Sequence, residues 1–189
     1  MGRAALPRGL RPQIEMVRAQ LEPLPTLAPP LPYRLRTYRE GDETAWAEIM
    51  NTGIGEGWTA ERCRDFLFRP PKFRPDGLFF AVRDGADGEA IAGTACAWRA
   101  SAEESRNGII HMVCVRPEDR GHRLGYWLTL AALRYFRDHG FERATLSTDD
   151  YRLSAIRAYL DLGFEPMMTD ASHPARWDAV FDALGERPG

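Results

Sequence analysis

Two periods of hydrophobic positions run through the chain, and the switches between them mark its elements. Tyr33-Arg34-Leu35-Arg36-Thr37-Tyr38 alternates apolar and polar residues, which predicts a strand with one covered face. After Gly41-Asp42 the period lengthens. Trp46, Ile49 and Met50 share one side of a helix for which Asp42 is the expected N-cap. Gly53, Gly55 and Gly57 break it, Thr59 is placed to cap a second helix over 60–68, and Pro70-Pro71 ends that one. Strands are predicted over Leu78–Val82 and Ala90–Trp98, joined by the turn Asp84-Gly85-Ala86-Asp87-Gly88. Asn107-Gly108 reads as a further turn. Ile109–Val115 is almost continuously apolar, which predicts a central strand covered on both faces. A polar loop, 116–123, leads into a long helix over 124–138, with Leu124, Trp127, Leu128, Ala131 and Tyr135 at helical spacing and His139-Gly140 closing it. Then come a strand over 144–148, a helix over 152–162 ended by Gly163, a strand over 164–168, and a last helix from about Ser172 carrying Trp177, Val180, Phe181 and Leu184. The order β-α-α-β-β-β-α-β-α-β-α has no internal repeat and predicts an α/β (α+β) mixed sheet flanked by helices.

The first 32 residues read differently. The run from Leu21 to Pro32 interleaves leucine with proline, which excludes a regular helix or a central strand there. Residues 1–32 are therefore expected to form an arm along the surface of a single domain, 33–186, with leucines inward. The whole chain of 189 residues, 44% hydrophobic, is long enough for one such core. Its formal charge of −2 offers no wide basic field, so neither nucleic acid nor an anionic membrane is an expected partner. Three cysteines without CxxC spacing, and histidines without ligand spacing, make a disulfide framework or a metal site unexpected. No apolar run reaches the roughly 20 residues of a membrane helix, and a signal-peptide pattern is missing, so the expected location is the cytoplasm. Lys72 is the only lysine beside 24 arginines.

Chemistry concentrates between the central strand and the long helix. In Val113-Cys114-Val115-Arg116-Pro117-Glu118-Asp119-Arg120-Gly121-His122-Arg123-Leu124-Gly125-Tyr126, a buried strand runs through a loop into a helix N-terminus. Unpaired N–H groups and the positive end of the helix dipole collect there, Gly121 and Gly125 allow close backbone approach, and Arg120 and Arg123 add charge. That combination suits a phosphate or pyrophosphate. GxxxxGK[ST] is absent, and Gly53-Ile54-Gly55-Glu56-Gly57 has neither the spacing nor the preceding strand of a dinucleotide-binding turn. The plainer alternative is a helix-capping loop with solvated arginines.

The segment Arg120-Gly121-His122-Arg123-Leu124-Gly125 resembles the acetyl-CoA loop of the GNAT N-acetyltransferase superfamily, roughly [QR]-x-x-G-x-[GA] after a strand. A second block, Arg152-Leu153-Ser154-Ala155-Ile156-Arg157-Ala158-Tyr159-Leu160-Asp161-Leu162-Gly163-Phe164, is similar to that family's Asn-x-x-Ala-[Ile]-x-x-Tyr-x-x-x-Gly-Phe. The resemblance covers about residues 33–168. It departs from the pattern at Arg123, where glycine is usual, and at Arg152, where asparagine is usual.

The resemblance implies a mostly antiparallel sheet with two central splayed parallel strands and acetyl-CoA as co-substrate, without a metal. It implies that the backbone of Val113, Cys114 and Val115 pairs with the pantetheine arm. The N–H groups of Gly121, His122, Arg123, Leu124, Gly125 and Tyr126, with Arg120, would then hold the pyrophosphate. The reaction implied is direct attack of an amine, from a small molecule or a protein, on the thioester. Tyr159 is the acid candidate, because Arg152, Ala155 and Tyr159 share one side of their helix while Leu153, Ile156 and Leu160 form the adjoining core side. His111 is the base candidate: strict alternation puts it on one face with Ile109, Val113 and Val115, and histidine titrates near neutral pH. A water chain is the alternative base. Glu56, Trp58 and Asp149 are candidates for holding the acceptor, against the plainer readings of an anchored loop and a helix cap. Homodimerisation is common for this fold. The alternative function is a catalytically inactive GNAT-fold module that binds acyl-CoA or a partner.

Overall fold

The computed structural model describes residues 11–67, 73–85, 88–99 and 106–185. Seven strands form one sheet: β1 (Ile14–Arg18), β2 (Arg34–Thr37), β3 (Leu78–Gly85), β4 (Gly88–Arg99), β5 (Asn107–Val115), β6 (Arg143–Thr148) and β7 (Glu165–Met167). Their spatial order is β2-β3-β4-β5-β6-β1-β7. Among the described residues β5 and β6 are parallel, and the other neighbouring pairs are antiparallel. Five helices accompany the sheet: α1 (Glu43–Gly53), α2 (Ala60–Leu67), α3 (Leu124–Asp138), α4 (Leu153–Asp161) and α5 (His173–Leu184).

The apolar strand β5 lies at the middle of the sheet with both faces covered. On one face Cys96 and Cys114 join Trp46, Ile49, Met50 and Cys63 of α1 and α2. On the other, Ile110 and Ala97 pack with Leu130, Leu133 and Phe136 of α3, in a cluster that extends to Tyr159 of α4 and Trp177 of α5. Thr59 caps α2 as its position suggests, its Oγ1 accepting the Arg62 N–H at 3.1 Å.

Two expectations are corrected. Asn107-Gly108 is not a turn but the start of β5, paired with Arg143 and Ala144. Glycine is required there for close approach, since a Cβ at Gly108 would lie 2.5 Å from the Phe136 ring. The second correction concerns the leading segment, which contributes a strand. Ile14 and Met16 of β1 are fully buried, and β1 inserts between β6 and β7, pairing Met16 with Leu146 on one side and Pro166 on the other. The alternation Ile14-Glu15-Met16 precedes the proline run and is short enough to be hidden by it. Beyond β1, Leu21 is buried and Leu24 and Leu27 pack on the α3 cluster, as expected of inward leucines, whereas Leu31 is exposed. Residues 68, 86 and 87 of the expected second helix and first hairpin turn lie outside the described residues.

Candidate active site

The parallel pair opens partway along. Among the described residues β6 accompanies β5 only over Asn107–Ile109, so Met112–Val115 has no strand partner on that side. Within this free stretch the β4–β5 register slips: Thr94 faces Cys114 but Cys96 faces His111, leaving Met112 and Val113 opposite Ala95. Met112 takes φ +52° to make this bulge. The free edge offers unpaired N–H and C=O groups to an extended ligand, as a missing strand would.

At the far end of β5 the chain turns through Pro117–Asp119 into α3. The first carbonyl to accept a helical bond is that of Arg123, from Trp127 at 3.2 Å, so the N–H groups of Leu124, Gly125 and Tyr126 open the helix without a carbonyl ahead of them. Gly121 (φ +88°) and Arg123 (φ +56°) are both left-handed, which curls the loop around that helix end. The loop is braced from behind. Asp119, 3% exposed, accepts the Tyr33 hydroxyl at 2.9 Å and the Arg83 Nε–H at 2.7 Å. Replacing Asp119 by alanine is expected to cost about 2 kcal/mol of stability, read from urea unfolding. An unchanged midpoint would show the brace to be idle.

A cavity of about 610 Å³ joins these features. Its wall includes Val113, Cys114 and Val115 of β5, Arg120, Gly121, Arg123, Leu124, Gly125 and Tyr126 of the loop and α3, and Arg152, Ala155 and Tyr159 beside and along α4. Four arginines (120, 123, 152 and 157) line it against one carboxylate, Asp161. The local charge is thus strongly positive although the chain carries −2 overall. A bound anion is what that surplus suits, and the open helix N-terminus supplies directional donors for it.

Tyr159 is buried, its ring edge-on to Phe164 at 6.0 Å. Burial pushes its hydroxyl up to about 12, moderated by the charge of Arg152 and reinforced by Cys114. It therefore stays protonated and can give a proton to a departing anion. Ile156 is fully buried, and Leu153 and Leu160 pack on the α3 cluster, so the helical phase expected of α4 is the observed one. Cys114 is a buried hydrophobe, its thiol bonded to the Ile49 carbonyl at 3.4 Å and held in the protonated form by burial.

The expected alignment of His111 with Val113 and Val115 is overturned. The bulge at Met112 reverses the alternation, so Val113 and Val115 face α3 whereas His111, opposite Cys96, faces α1 and α2. There its ring lies over Trp98 at 4.1 Å, outside the cavity wall. His122 also turns away, with Nδ1 3.2 Å from the Asp119 carbonyl and its ring 5.1 Å from Tyr33.

Three further candidates lie off the cavity wall. Trp58 is buried edge-on to Trp46 at 5.6 Å, and Asn51 staples its backbone through bonds of 2.9 and 3.0 Å. Glu56 is exposed in the same loop, where its carbonyl and that of Gly57 accept Arg62. Asp149 is engaged by Arg152 at 3.0 Å, Tyr151 at 3.2 Å and Gln13 at 3.3 Å. Arg152 also reaches the Gly53 carbonyl at 3.0 Å, tying the start of α4 to the end of α1. Motif matching alone gives no role to Arg152, Arg157 or Asp161, which stand at positions where the pattern is variable or broken, nor to Gly53, which lies outside both blocks.

A sheet split at its parallel pair, an open helix N-terminus at one end of the split and a buried tyrosine in its wall define the class as a GNAT-type fold. The model of the acetyltransferase (GNAT) family matches residues 41–164, and the chain belongs to that family. A mycothiol acetyltransferase of Thermobispora bispora is 34% identical over 169 residues, covering 84% of this chain and 55% of that protein. The chain spans about half the length of the curated relatives it matches. Among solved structures, a GCN5-related N-acetyltransferase from Sphaerobacter thermophilus aligns with a TM-score of 0.65 at 24% identity, covering 83% of this chain and 50% of the other. The NatC complex bound to Gag peptide and CoA aligns at 0.61 and 17% identity, covering 75% and 92%. At these identities the structural likeness shows the fold.

Proposed function

We propose that this chain transfers an acetyl group from acetyl-CoA to a primary amine by direct attack on the thioester. The observation that carries this reading is that one cavity is lined together by Val113–Val115 of β5, the N-terminus of α3 and Tyr159. The cradle of N–H groups over 121–126 binds the pyrophosphate, with Arg120 and Arg123 adding charge, and the edge of Val113–Val115 holds the pantetheine arm extended. An amine nitrogen bonds to the thioester carbon as the C–S bond breaks, and Tyr159 gives its proton to the departing sulfur. His111, on the α1–α2 face, takes the proton that the amine sheds, directly or through water, and solvent returns one to Tyr159. The acceptor enters over that face, past the stapled loop that holds Glu56 and Trp58, and Asp149 shapes the entry through Arg152. The name of the relatives makes a mycothiol-related amine the first acceptor to assay.

Calorimetry with CoA, followed by acetyl-CoA-dependent thiol release over an amine panel, tests the proposal. Binding together with amine-dependent thiol release is the expected result. Binding without release for any amine would instead favour an acyl-CoA-binding module, and no binding would refute both. His111→Gln is expected to lower kcat about 10²-fold, read from steady-state thiol release. An unaltered rate would return His111 to a packing role against Trp98.

A further inference from the structure

We propose that Arg123 and Asp161 form an ion-pair clasp across the mouth of the cavity, and that a phosphate-bearing ligand opens it by taking Arg123 away from Asp161. The inference rests on reading the cavity as the acyl-donor site. Arg123 is the residue before α3 and Asp161 the last of α4, so the pair spans the two walls of the cleft. Arg123 Nη2 donates to Asp161 Oδ2 at 2.8 Å, and its guanidinium lies 4.6 Å from the centre of the Tyr126 ring.

Several observations make this contact exchangeable. The side chains of Arg123 and Asp161 are 62% and 40% exposed, so water screens their attraction and little holds them together. Arg152 is committed to Asp149 and the Gly53 carbonyl, and Arg157 donates to the Leu184 carbonyl. Arg123 is thus the cavity arginine held by the carboxylate that phosphate would displace. It also stands where φ is +56°, a conformation glycine adopts freely, so its side chain starts at the cradle itself. A phosphate offers the guanidinium more charge and a second acceptor in fork geometry, which a single carboxylate oxygen does not. Once Arg123 leaves, Asp161 remains as a bare carboxylate beside an anion and opposes binding.

Partner exchange and a static clasp differ in sign. If Arg123 changes partner, Asp161→Asn removes only the competitor, and CoA should bind about three- to tenfold tighter. Arg123→Gln removes the phosphate contact, and CoA should bind about tenfold more weakly, with a shallower salt dependence. Pantetheine, which lacks phosphate, should be unaffected by either change. A clasp that only fastens α3 to α4 would make both variants shift CoA affinity in the same direction. The test is calorimetry of the full chain with CoA and with pantetheine at low and high salt. Opposite signs confined to CoA support the exchange. Equal signs, no shift, or equal effects on pantetheine overturn it. Failure of the unaltered protein to bind CoA would sink the donor-site reading itself, which is a separate result. Both side chains face solvent, so neither substitution threatens folding.

Discussion

Replacing Tyr159 by phenylalanine is expected to lower kcat by about 10²- to 10³-fold while leaving CoA affinity nearly unchanged, because the ring keeps its packing and only the proton donor is lost. The packing half of this expectation comes from the edge-on contact of the Tyr159 ring with Phe164, which does not involve the hydroxyl. The catalytic half comes from its protonation state. With the hydroxyl pushed up to about 12, the phenol remains neutral across the working range of an enzyme. An alkaline decline in kcat/KM caused by Tyr159 therefore belongs near pH 12, well above the ordinary tyrosine value of about 10. Donors with a more acidic leaving thiol need less help from a proton donor, so the penalty of Tyr159→Phe should shrink with them. A penalty independent of the leaving thiol would place Tyr159 in binding or packing. Full turnover by the variant would remove the acid role altogether.

What could be read in the sequence follows from how local each signal is. The loop over 120–125 and the α4 block are local: glycines, charges and helical phase lie within a few turns of one another, and the cavity wall contains the residues that phase selected. The face of His111 was not legible, because it depends on one extra residue in β5. Met112 carries no mark of a left-handed conformation, and the reversal it causes appears only in the register against β4. β1 was missed for the opposite reason. Its pattern is present but five residues long, and its place between β6 and β7 is set by contacts about 130 to 150 positions away. Asn107-Gly108 shows a composition signal misapplied, since the glycine answers to the Phe136 ring across the core rather than to a turn. The arginine that replaces the usual glycine, Arg123, keeps the glycine-like φ. The departure from the family pattern therefore leaves the course of the loop intact and adds a side chain at the mouth of the cleft.

Gly125 separates binding from stability most sharply. It is the second residue of α3 and lines the cavity, and an added Cβ would meet only the Val113 Cγ1 at 4.0 Å. A Cβ there is therefore unopposed, and exchanging this first-turn glycine for leucine should leave the free protein at least as stable, with a gain of up to roughly 0.5–1 kcal/mol. The leucine would project into the space where a phosphate must approach the N–H groups of 124–126. Losing one charge-assisted bond of about 1.5–3 kcal/mol corresponds to roughly 10- to 10²-fold weaker CoA binding. Thermal melts with and without CoA measure both effects. The free variant should melt at or above the unaltered protein, and the gain in Tm on adding CoA should largely vanish. A variant that melts lower without ligand would mean that α3 tolerates no side chain at 125. One that keeps the full CoA-induced gain would move the pyrophosphate away from this helix end, and the glycine would then need another explanation.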